Sequence, residues 1–148
     1  MVNDRGYIFE KPKKLAKPRP RNFVAFDTET RPDGSFICGA YFGFTTKRRG
    51  RIEQIAYYYD NIEDFQEGLF KIEKIFEDNR QIPTFIGFNT AYDLAYLQPC
   101  INTNERLDAG SRFISCKTLN NNDIMDVANH VFGSLDSWIT RLNMQEKY

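Results

Sequence analysis

Phe23-Val24-Ala25-Phe26-Asp27-Thr28-Glu29-Thr30 is an apolar run that ends in two carboxylates one residue apart. Arg21-Asn22 precede it and the turn-forming Arg31-Pro32-Asp33-Gly34 follows, so it reads as a buried strand. Side chains alternate along a strand, which puts Asp27 and Glu29 on one face at its end. Acids that close repel unless something positive sits between them. A core strand gains nothing by ending this way, whereas a divalent cation is well held by such a pair. The plain alternative is coincidence, because Asp-x-Glu needs only two common residue types and arises about once per 300 positions on average composition.

A second strand end supplies a further acid. Residues 84–88, with Phe85-Ile86-Gly87-Phe88, form another apolar strand, and Asn89-Thr90-Ala91-Tyr92-Asp93-Leu94-Ala95-Tyr96-Leu97 follows. The spacing predicts a helix from Thr90 to about Gln98, stopped by Pro99. Asn89 and Asp93 are four residues apart and are expected on one helical face.

Taken together, these two segments resemble the DEDD superfamily of 3′-5′ exonucleases, in particular the proofreading domain at the front of family-B DNA polymerases. Phe26-Asp27-Thr28-Glu29-Thr30 is similar to the superfamily's first motif, and Asn89-x-x-Tyr92-Asp93-x-x-Tyr96-Leu97 to its second, with about 65 residues between the acids. The resemblance covers roughly residues 22 to 143. It lacks the third motif, Tyr-x-x-x-Asp or His-x-x-x-x-Asp on a late helix. Asp126 and Asp136 are acids of the right type, but Asp126 reads as mid-strand and Asp136 as an acid in the first turn of a helix. His130 and Asp136 have five residues between them, one more than the histidine form of the motif allows.

The resemblance implies two divalent ions about 4 Å apart, and hard oxygen ligands select Mg²⁺ or Mn²⁺. It implies that Asp27 bridges both ions, that Glu29 binds the ion that activates water, and that Asp93 holds the other, partly through water. It assigns Thr30, Asn89 and Tyr92 to the single-stranded DNA 3′ end, and an aromatic face there can stack a frayed base of any identity. Each has an ordinary alternative. Asp93 is then a solvated acid in the first turn of a helix, Thr30 a strand end, Asn89 a helix cap and Tyr92 part of the core.

A chain of 148 residues with 41% apolar residues, including 13 Phe and 8 Tyr, is expected to form one domain with a real core. No apolar run approaches the length that spans a bilayer, and Met1-Val2-Asn3-Asp4-Arg5 is unlike a secretory leader. The expectation is a soluble cytoplasmic protein without membrane contact. Cys38, Cys100 and Cys116 are too few and too widely spaced for a disulfide framework or a zinc site. The single histidine, His130, excludes chemistry that needs two.

Net charge is zero, yet residues 1–21 carry seven basic and two acidic groups. Residues 11–21 hold six cations and three prolines, too charged and too stiff to pack. The division is therefore a basic arm at 1–21 and an exonuclease-like domain at 22–148. The arm suits phosphate contact without sequence preference, or simply a solvated leader to the first strand.

Along the rest of the chain, 35–44 and 51–59 read as two more strands, completing an antiparallel meander. The basic connection between them, Lys47-Arg48-Arg49 and then Arg51, reads as a solvated hairpin tip rather than a nucleic-acid contact. Asp60-Asn61-Ile62-Glu63 is a capping-box pattern, and Ile62, Phe65, Leu69, Ile72 and Phe76 form the buried stripe of a helix to about Asn79. Residues 100–122 read as a turn-prone loop with a short strand at 112–117, and 124–127 as the fifth sheet strand. Ser134 reads as the N-cap of a helix expected from Leu135 to about Leu142, similar to the Gly-Ser-Leu-Asp helix that precedes the third motif in the family.

The fold expected is α/β, a ribonuclease H-like mixed sheet in which the meander is followed by parallel strand-helix units, truncated at its C-terminal part. Crossover handedness would put Asp27, Glu29 and Asp93 at one sheet edge. The function expected is a 3′-5′ exonuclease of proofreading type, part of a longer DNA polymerase or nuclease. A catalytically dead single-stranded nucleic-acid-binding or partner-docking module is the reading from another class, and RNA trimming stays open because no residue that reads a 2′-hydroxyl is identifiable.

Overall fold

Val24 and Phe26 are buried while Phe23, Ala25 and Asp27 are exposed, the alternation of a strand covered on one face only. The structure, a computed structural model, describes residues 21–129. Most of the arm, His130, Asp136 and the helix expected at 135–142 lie outside the described residues. The strand is β1, Arg21–Thr30, so Arg21 belongs to the sheet rather than the arm. β2, Phe36–Thr46, and β3, Ile52–Tyr59, follow antiparallel, as the meander predicts.

The covering layer is α1, Ile62–Asp78, which buries Phe65, Leu69, Ile72 and Phe76 completely. Full burial of side chains of this size contributes about 1.5–3 kcal/mol each. The helix starts one residue later than the capping pattern suggests. Asn61 accepts a hydrogen bond from the Asp64 amide at 2.9 Å, and its own amide group donates to the Asp64 carboxylate at 2.8 Å. Phe65 stacks on Tyr41 with ring centroids 4.7 Å apart, and the Tyr41 hydroxyl donates to the Phe65 carbonyl at 2.7 Å. Strand and helix approach so closely there that a Cβ on Gly39 would lie 2.6 Å from the Phe65 ring. Gly39→Ala is therefore expected to destabilise the fold by about 1–3 kcal/mol, measurable as a lowered urea midpoint.

β4, Ile82–Gly87, lies parallel to β1, and β7, Asp123–Asp126, parallel to β4. Between them the chain forms the short helix α2, Asp93–Tyr96, and then a hairpin of β5, Ile101–Ala109, and β6, Arg112–Thr118. The result is α/β with one seven-stranded mixed sheet in the order β3-β2-β1-β4-β7-β6-β5.

Three expectations are corrected here. Residues 100–122 are mostly strand: the loop reading missed β5, and β7 is the seventh strand and not the fifth. β5 is an edge strand in which only Ile101 is buried, so it carries none of the alternation that marks a half-covered strand. The helix expected from Thr90 to about Gln98 shrinks to Asp93–Tyr96, because Asn89 takes a left-handed backbone with φ 55° and residues 90–92 form a turn. Asn89 and Asp93 consequently do not share a helical face.

Two polar features inside the layers are structural. Glu73 on α1 is buried and accepts from the Thr118 hydroxyl at 2.7 Å and the Asn120 and Asn122 side-chain amides, pinning the turn before β7 to the helix. Cys100 and Cys116 are free thiols that burial pushes up to about 11 and about 12, so they act as core side chains and not as nucleophiles. No helix among the described residues is long and apolar enough to cross a membrane.

Candidate active site

β1, β4 and β7 are neighbours and run the same way, so their C-terminal ends open at one edge of the sheet. Ala25 pairs with Ile86 and Gly87 with Asp126, which places Asp27 just beyond the end of β4. Asp27 and Glu29 are both exposed, on the face of β1 away from α1, as alternation requires. Thr28 between them points the other way, and its hydroxyl donates to Asp93 Oδ1. β1 and α2, far apart in sequence, are thereby joined through one short side chain.

Asp93 opens α2 and is only 8% exposed. Burial holds its carboxyl above the ordinary aspartate range, the Thr28 hydroxyl partly offsets this, and the charges of Asp27 and Asp126 push it further up. The reading of Asp93 as a solvated acid is therefore wrong: it is a desolvated carboxyl that feels the charge of two others.

Asp93 is thus within reach of the charges of both Asp27 and Asp126 at this edge of the sheet. Glu29 stands one step further along the face of Asp27, opposite Cys38 on β2. No group of three or more His, Cys, Asp and Glu among the described residues is arranged tightly enough to hold a metal ion. Chemically the donors still suit Mg²⁺ or Mn²⁺. They are hard oxygens, and among the described residues the ion pairs engage Asp123, Glu53, Asp78 and Asp108, leaving Asp27, Glu29, Asp93 and Asp126 without a competing cation.

The residues assigned to the nucleic acid fall around the same edge. Tyr92 is 80% exposed, which overturns its alternative as a core side chain. Asn89 is exposed and does not cap α2, whose first turn has no side-chain cap. Thr30 ends β1 opposite Phe36, where the pairing with β2 shifts register. The Tyr96 hydroxyl donates to the Gly34 carbonyl at 2.5 Å and so ties α2 to the turn after β1. Lys47, Arg49 and Arg51 are exposed around the opposite end of β2, in keeping with a solvated tip.

Of two further residues here, one was given no role in the sequence and the other was weighed and set aside. Thr28 carries no motif signal beyond lying between two acids, on the opposite face. Asp126 was read as mid-strand but is the last residue of β7, is 4% exposed, and accepts from the amides of Asn89, Thr90 and Ala128, each at 2.9 Å. Gly87 leaves room for this junction, since a Cβ there would lie 2.0 Å from Thr90 Cγ2. No protein-family model matches the chain, nor does any curated protein or solved structure.

Proposed function

We propose that the chain is a metal-dependent 3′-5′ exonuclease domain of proofreading type, of the DEDD superfamily and with a ribonuclease H-like sheet, that trims single-stranded DNA ends. The observation that carries the reading is that Thr28 ties the Asp93 carboxyl to the strand that bears Asp27 and Glu29. Asp27 lies near the end of β1, Asp93 opens the helix that follows the parallel β4, and the desolvated Asp93 carboxyl feels the charge of Asp27. Structural acids are normally kept apart or paired with cations. Acids forced together at a sheet edge are what a phosphoryl-transfer site needs.

Asp27, Glu29 and Asp93 would hold Mg²⁺ or Mn²⁺, which when bound supplies positive charge against the attacked phosphate and lowers the pKa of a water. Thr28 fixes the orientation of the Asp93 carboxylate by its hydrogen bond. Tyr92 offers its exposed ring to the terminal base, a contact that does not depend on base identity. In the hydrolysis itself, the water oxygen bonds to phosphorus and the bond from phosphorus to the 3′ oxygen of the penultimate nucleotide breaks. One water proton leaves to solvent and the leaving 3′ oxygen takes up another, releasing a nucleoside 5′-monophosphate. The likeness to family-B enzymes makes a polymerase domain elsewhere in the same protein part of this proposal.

The test is a Mn²⁺ and Mg²⁺ titration together with a 5′-labelled single-stranded DNA, using Asp27→Ala as control. Stepwise shortening from the 3′ end that needs metal and is lost in the control is the expected result. Failure of either ion to bind near Asp27 and Glu29 would sink the reading. Strand binding that persists in EDTA with no shortening would point instead to a binding module.

A further inference from the structure

Asp126 has the chemistry of a ligand and the geometry of a clamp. Its Oδ1 accepts from the amides of Asn89 and Ala128 and its Oδ2 from the amide of Thr90, all at 2.9 Å. Both oxygens are thus already engaged by the backbone. The two donors at 89 and 90 belong to the turn that links β4 to α2, where Asn89 is left-handed with φ 55°. Asparagine is among the few residues that enter the left-handed region, and the amide hydrogen bonds to Asp126 help to hold it there. The remaining anchors act at the same place. The Asn129 side-chain amide donates to the Asp126 carbonyl at 3.1 Å and to the Phe113 carbonyl at 2.9 Å, fixing the far side of the clamp to β6. The Leu94 amide donates to the Thr90 carbonyl at 3.0 Å, so the conformation at Thr90 passes directly into the start of α2, where Asp93 sits.

We infer that Asp126 is a positioning residue: by gripping the amides of Asn89 and Thr90 it sets the turn that presents the Asp93 carboxylate, and it does not itself ligate. This rests on the metal-site reading of Asp93. It also accounts for an acid at the end of β7, where a third ligand is the obvious guess. A carboxylate is the one short side chain that can accept at both oxygens simultaneously. Supporting groups of this kind set metal affinity without touching the ion, typically by about 10–100-fold.

The deciding variant is Asp126→Asn, which keeps shape and one acceptor. Its amide can still serve Asn89 and Ala128 but must turn an N–H toward the Thr90 amide. The whole chain is titrated with MnCl₂, and amide hydrogen exchange is followed at Thr90, Asn89 and the remote Tyr41 and Phe42 on β2. The expected result is Mn²⁺ affinity lowered by about tenfold or more, with exchange accelerated at Thr90 and unchanged at Tyr41 and Phe42. Affinity within about twofold of the parent would overturn the inference, as would acceleration spread equally to β2, which would make Asp126 a general stabiliser. Parent protein that binds no Mn²⁺ would overturn the metal-site reading itself, a result separable from the other two. Asp126→Glu serves as the check on charge: the longer side chain restores the carboxylate but not its reach, and affinity should stay low.

Discussion

Asp93→Asn is expected to abolish metal-dependent trimming of a single-stranded 3′ end, by about a thousandfold or more, while leaving the fold at least as stable as the parent at pH 7. The first half follows from the cost of losing a charged ligand at the reacting phosphate, several kcal/mol of barrier at about 1.4 kcal/mol per tenfold. The second half follows from burial. The folded chain holds the Asp93 carboxyl above its unfolded range, first through desolvation and then through Asp27 and Asp126. The folded state therefore binds this proton more tightly than the unfolded state does. Any stability tied to that proton is fully present below the unfolded value, near 3.9, and is lost as pH rises through the raised folded value. Asparagine keeps the acceptor for the Thr28 hydroxyl and removes the charge, so it abolishes this loss. Thermal unfolding followed upward from about pH 4 should show a parent that weakens with rising pH without metal and a variant that does not. Adding MnCl₂ should raise the parent's midpoint and leave the variant's unmoved, because only a ligand bound by the folded state stabilises it. A variant that unfolds at pH 7 would mark Asp93 as structural, and one that still trims would remove it from the chemistry.

Phe65→Ala is expected to be the most damaging single core truncation at the interface of helix and sheet, at about 3–5 kcal/mol. Phe65 is 0% exposed, stacks on Tyr41 at an interplanar angle of 16°, and meets Phe36 at 5.6 Å. Its ring also lies over Gly39, so removing it leaves a void between α1 and β2 that neither element can fill. For a domain of this size the loss corresponds to a fall of about 10–20 °C in Tm. The same geometry predicts coupling. Gly39→Ala clashes only because the Phe65 ring is there, so in the Phe65→Ala background it should cost far less than in the parent. Denaturant titration of the four chains would reveal this, and strict additivity would contradict the packing described.

Much of the architecture was legible because burial leaves a period in the sequence. Val24 and Phe26 alternate with exposed partners, and Phe65, Leu69, Ile72 and Phe76 recur at helical spacing, so the meander and α1 could be read directly. β5 could not be read, since a strand at the sheet edge with a single buried side chain has no face to advertise. The extent of α2 was misjudged for a different reason. Thr90 to Leu97 have good helical spacing, but a left-handed Asn89 and the grip of Asp126 on two amides override local preference, and both are tertiary facts. At the site, Asp27, Glu29 and Asp93 were visible as acids at strand ends. Thr28 was given no role and Asp126 was weighed but set aside as mid-strand, because what each does depends on which oxygen faces which hydrogen across 65 and 36–37 residues of chain.

The left-handed backbone at Asn89 bears on how that position can be interrogated. Alanine scanning there would be read twice over: it would erase an amide that is a candidate for touching the strand, and it would also put at φ 55° a residue that lacks asparagine's tolerance of the left-handed region. Glycine separates the two effects, since it deletes the same functional group and relaxes the same torsion. A defect common to both substitutions belongs to recognition, and one confined to alanine belongs to the main chain.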